Sequence, residues 1–183
     1  MELDKIYSQT RRVVLPILLI IALVQVGIFA LTTLQMKIQQ EEIEIGNRAR
    51  IGEWLRANGR VTDTVYLEAL GYIGYFSGLR MIDWPGLVSP EVVRLRHDKG
   101  LNRATLITEI FPDWVVLRPM EYEAVRNSVA FQAFQENYSI AKVFDVTPSL
   151  NRYAFIPGKY YLDFDAAFTV FKRKMPLDKR KLS

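Results

Sequence analysis

From Val13 to Met36 the chain runs for 24 residues without a charged side chain, VVLPILLIIALVQVGIFALTTLQM. At 1.5 Å per residue this makes about 36 Å of helix, enough to cross a hydrocarbon core of roughly 30 Å. Pro16 falls in the first turn, where a missing N–H does no harm. Gln25 is the one strongly polar side chain well inside, a candidate for a hydrogen bond to a neighbouring helix. Residues 13–36 are therefore expected to be a transmembrane helix, with 1–12 as a cytoplasmic N-terminus. A cleaved signal peptide would have a shorter apolar run, about 7–15 residues, and a small-x-small cleavage site. Neither is found here, so an uncleaved anchor is expected.

Beyond the span the pattern changes to that of a water-soluble α/β domain. Residues 37–47 read as a polar helical extension or short stalk, and residues 48–173 as one soluble domain with a mixed sheet and flanking helices. Ile51, Trp54 and Leu55 share one face of a helix at about 48–58, which Gly59 stops. Asp63–Glu68 alternates like a strand. Gly71, Gly74 and Gly78 then break the chain into tight turns around Tyr72, Tyr75 and Phe76, before a second strand at Leu79–Asp83. Ser89, Pro90 and Glu91 signal a helix start with Ser89 as the capping hydroxyl, and Asn102 caps another helix that Pro112 ends. Trp114–Leu117 (WVVL) is continuously apolar, the pattern of a strand buried on both faces. Residues 121–137 read as one helix with Tyr122, Val125, Val129 and Ala133 inward, and Ser139–Val146 and Ala166–Arg173 as an antiparallel pair.

Charge is unevenly placed. The net +4 conceals a basic C-terminus, in which Lys172, Arg173, Lys174, Lys179, Arg180 and Lys181 face only Asp178 and leave the rest near −1. The final ten residues, 174–183, are read as a solvated basic tail, with anionic lipid or an acidic partner as its alternative contact. The basic residues do not interleave with aromatics over a face, so no nucleic-acid partner is expected. The chain has no cysteine, which excludes disulfides, thiolate metal sites and a cysteine nucleophile. Its single histidine, His97, cannot build a histidine-based metal site alone. No cofactor or metal is expected. Flanking charges tie by count, but Arg11 and Arg12 abut the span while Glu41, Glu42 and Glu44 open the far side, which favours the N-terminus inside.

The order RIGEWLRAN, TVYLEALGYIGYFSGLRMIDWPGLVSPEV and PDWVVLRP resembles the soluble tail of multi-spanning C-type glycosyltransferases, bacterial relatives of the protein O-mannosyltransferases. The matching positions are Glu68, Gly71, Gly74, Tyr75, Ser77, Gly78, Asp83, Gly86, Leu87 and Val88. The resemblance implies a bacterial cytoplasmic membrane with the soluble domain on the periplasmic side. In that family catalysis is attributed to acids in a loop among many membrane helices. This chain has one such span and no such loop, so no catalytic residue is carried over.

The candidate contacts for a ligand or partner are Glu68, Asp83, Trp84 and Gln25. Glu68 follows the first strand and Asp83 ends the second, so paired carboxylates could bind a sugar or cation there; the plainer reading has each accept backbone N–H groups in turns. Trp84, beside Pro85, is the tryptophan expected at an interface. By elimination, the expected function is that of a non-catalytic, single-pass accessory subunit docked on integral membrane proteins in the lipid bilayer. The alternative is a detached sugar- or lipid-carrier-binding module working with a separate glycosyltransferase.

Overall fold

The computed structural model describes residues 2–174, with side chains from Arg12 onward. The expected basic tail at 174–183 lies outside the described residues save for Lys174. Helix α1 (Glu2–Ile38) passes without a break into a π-helical segment (Gln39–Ala49) and then into α2 (Arg50–Asn58). It is the one described helix long and apolar enough to cross a membrane. Its most apolar window has a mean hydropathy of 2.8, and none of that window is buried. Gln25 is exposed with the rest of the run. Two other polar groups near its end are satisfied internally: the hydroxyls of Thr32 and Thr33 donate to the carbonyls of Ile28 and Phe29.

Five strands form one mixed sheet among the described residues, in the order β2-β1-β3-β5-β4. β1 (Thr64–Leu67), β2 (Arg80–Asp83) and β3 (Trp114–Leu117) are parallel; β5 (Ala167–Arg173) runs antiparallel to β3 and to β4 (Tyr138–Asp145). Helices cover both faces. Val65, Leu67, Trp114, Val116, Phe168 and Val170 point to the face held by α2 and by α3 (Leu70–Ser77). Tyr66, Val115, Leu117 and Phe171 point to the opposite face, under α4 (Pro90–Lys99), α5 (Arg103–Ile110), α6 (Pro119–Arg126) and α7 (Phe131–Asn137). β3 is buried at every residue because both its faces meet helices.

Three local expectations change. Gly71 and Gly74 do not make turns; they lie inside α3, and only Gly78 ends it, in the left-handed conformation. Ser89 makes no side-chain cap to α4, since its hydroxyl is taken by the Asp83 N–H at 3.0 Å. The single helix expected over 121–137 is two, and Val129, in the break between α6 and α7, is 94% exposed rather than inward.

Residues 37–47 are helical and half enclosed. Ile38 and Ile43 join Leu150, Leu162 and Ala166 in a third apolar cluster. Its other walls are α8 (Thr147–Leu150), a 3₁₀ turn (Asn151–Tyr153) and α9 (Lys159–Phe164). The segment following α1 is thereby part of the domain's packing.

Candidate functional site

The carboxyl ends of β1 and β3 each finish in a charged residue, and these two charges begin the most buried ionic cluster of the described residues. Glu68 follows β1; Arg118 follows β3 and precedes α6, whose Glu121 folds back to accept the Arg118 N–H at 2.8 Å. The Arg118 guanidinium reaches Glu121 at 2.8 Å, Asp165 at 2.6 Å and Glu68 at 3.5 Å. Arg103, at the start of α5, bridges Glu68 at 2.5 Å and Glu121 at 2.8 Å. Asp165 also pairs with Arg48 of the π-helical segment, and Arg48 with Glu44 at 2.8 Å. Seven side chains thus link the helix that leaves α1 to the carboxyl edge of the sheet. Arg118 and Glu121 are almost wholly enclosed, at 5% and 6% exposure.

Burial raises the Glu121 carboxyl above the ordinary range, despite the guanidinium groups of Arg118 and Arg103. At Glu68, which is more open, burial acts in the same direction. There the hydrogen bond and charge of Arg103, joined by Arg118, outweigh it and hold the carboxyl below its usual range. Every carboxylate of the cluster faces an arginine, so the arrangement suits bracing of one element against another better than proton abstraction. Three buried polar atoms beside or within it lack hydrogen-bond partners: Asn47 Oδ1, Arg48 Nε and Tyr66 Oη. Burial pushes the Tyr66 phenol far up, which keeps it neutral.

Glu68 and Asp83 are not brought together as a carboxylate pair. Asp83 is fully buried and accepts the backbone N–H groups of Leu87 and, at 3.0 Å, of Val88. Burial alone would raise its carboxyl, but these N–H groups and Ser89 hold it below the usual range. Trp84 is half-buried; the guanidinium of Arg96 lies 4.2 Å from its ring centre and that of Arg103 5.0 Å. It lines an open groove of about 610 Å³ with Pro85, Arg96, Leu101 and Asn102. Gln25 lies far along α1 from both features, and His97 is exposed beside Asp98. Sequence reasoning missed Arg103, Arg118, Glu121 and Asp165. The available signal was a charge set directly after each of two apolar strands.

Residues 34–170 match the family model described as Domain of unknown function (DUF8728). The chain belongs to that family. The matched stretch opens at Leu34, near the end of the apolar run, and closes at Val170 in β5. The family signature therefore takes in the π-helical segment, the whole ionic cluster and all but the end of the sheet. No curated protein and no solved structure matches the chain.

Proposed function

We propose that this chain is a single-pass, non-catalytic accessory subunit of a larger membrane assembly. Its N-terminus lies on the cytoplasmic side and its α/β domain on the opposite side, and it docks through α1 and that domain together. The observation that carries the reading is the unbroken passage of an exposed, uncharged helix into a braced domain. The apolar window has no cover of its own, and burying such a surface in lipid or against other helices removes a large apolar area from water. At the other end, Arg48 and Asp165 clamp the emerging helix to the sheet, so the span and the domain present one fixed surface to a neighbour.

The test is purification from native membranes in mild detergent, with mass spectrometry of whatever accompanies the chain. Integral membrane proteins at constant stoichiometry are expected, and they should be lost when residues 13–36 are replaced by an unrelated apolar helix. Purification as a lone monomer in every detergent would overturn the proposal. Orientation is checked by a Val129→Cys variant, which an impermeant thiol reagent should label in intact cells.

The Trp84 groove favours a second reading, a sugar- or lipid-carrier-binding module. An aromatic face with two guanidinium groups and a nearby carboxylate is chemistry that suits a sugar phosphate. A sugar phosphate should then change tryptophan emission in a saturable way, and Trp84→Ala should abolish the response; a flat titration removes this reading.

A further inference from the structure

The domain carries a second apolar surface that its own fold leaves open. Phe155, Tyr160 and Tyr161 are 101%, 77% and 75% exposed, within seven residues of one another on the turn before α9 and on α9 itself. Tyr160 and Tyr161 meet edge to face with ring centres 6.0 Å apart, and three aromatics left in water within seven residues are apolar surface that a water-soluble domain ordinarily covers.

Their height along α1 is set by one contact. Gly158 has φ +79°, and a Cβ built there would overlap the side-chain amide of Gln35. Gln35 is the penultimate residue of the uncharged run. That run is about 36 Å long against a core of roughly 30 Å, so the surplus shared between its ends leaves Gln35 within about 5 Å of the hydrocarbon edge. Helical side chains lean toward the N-terminus, which carries the Gln35 amide further toward the membrane. α9 therefore sits beside the last turns of the span. It is held there by Leu162, which is buried with Ile38 and Ile43. Between the two lies a groove of about 580 Å³ lined by Gln35, Gln39, Tyr160, Tyr161 and Phe164.

We propose that α9 and its preceding turn lie in the headgroup layer of the same bilayer, so that Phe155, Tyr160 and Tyr161 form a second lipid contact beside α1. The proposal rests on α1 being a span. Tyrosine suits that layer because its ring is apolar and its hydroxyl stays wet. The neighbouring charges are internally balanced, Lys159 with Asp163 and Arg152 with Glu42. The contact is thus an aromatic one that needs no anionic lipid.

The absence of cysteine makes the test direct. Single nitroxide labels at Phe155→Cys, Tyr160→Cys, Leu23→Cys and Val129→Cys are placed in the full chain, one chain per nanodisc of zwitterionic lipid. Collisions with oxygen, which favours lipid, are compared with collisions with a water-soluble nickel chelate. Labels at 155 and 160 should show an oxygen-to-nickel ratio several-fold above that at 129, and the label at 23 a higher ratio still. If 23 is lipid-exposed while 155 and 160 match 129, the headgroup contact is wrong and the span stands. If 155 and 160 are shielded from both reagents, the chain's own fold covers them and the contact is again wrong. If 23 itself meets the chelate freely, the span fails first and takes the contact with it.

Discussion

Arg118 shows how much one side chain can organise. It touches three carboxylates, one directly after β1, one in α6 and one in the turn after α9, and stacks on Phe164 at 4.7 Å. Removing one partner of a buried ionic set leaves the others uncompensated, typically by about 3–5 kcal/mol. Arg118→Leu is therefore expected to lower the unfolding free energy by about that amount in denaturant titrations of the detergent-solubilised chain, whereas the exposed Arg126→Leu should change it by less than about 1 kcal/mol. Asp83 acts on pH dependence. Its carboxyl titrates lower in the folded chain than in the unfolded one, so its contribution is complete above the ordinary carboxylate range. That contribution fades as the pH falls through that range toward the folded value. Asp83→Asn should be less stable at pH 7 by about 1.5–3 kcal/mol, and its difference from the parent should shrink steadily below about pH 4. The role of Arg118 could not be read from spacing. Asp83 takes its partners from the turn that follows it, the N–H groups of Leu87 and Val88, as the plainer reading of that acid expects, whereas those of Glu68 and Arg118 are chosen in three dimensions, with Asp165 lying 47 residues from Arg118.

At the scale of elements, close approach decides what glycines do. The Gly71–Gly78 stretch looks like a series of turns because glycine is a poor helix former. It is helical because α2 and α3 cross closely at Gly52. A Cβ on Gly52 would come within 2.8 Å of the Ile73 carbonyl oxygen and of Phe76 Cβ. Gly52→Val is expected to push the two helices apart and destabilise the domain by about 1–3 kcal/mol. Gly71→Ala meets nothing within 4 Å at a helical position and should stabilise it by about 0.5–1 kcal/mol. Thermal unfolding of the two variants side by side separates these opposite signs. The helix expected over 121–137 failed for the converse reason: its apolar spacing continues through Val129, while the backbone turns at Asn127–Ala130 so that Phe134 can stack on Tyr138 at 5.0 Å. Long-range packing overrode a periodicity that was locally sound.

For the molecule as a whole, the order of the strands was legible because the strongest signals were lengths and runs, whereas α3, α8 and α9 did not show in the sequence as helices. WVVL between Asp113 and Arg118 reads as a doubly covered strand, and the structure places helices on both its faces. The layered α/β arrangement follows from that alternation. The clamp around Asp165 was hidden because its members, from Glu44 to Asp165, meet only after the sheet has closed. The unbroken helix from α1 through the π-helical segment into α2 has a mechanical result. A shaft of this kind has no swivel, so turning its lipid-embedded part turns the domain with it. One residue added within the apolar run would advance the shaft by about 100°, aiming a different side of the domain at any neighbour. Adding a further residue at a time should make association rise and fall with the helical repeat, as a key turned in a lock engages only at certain angles.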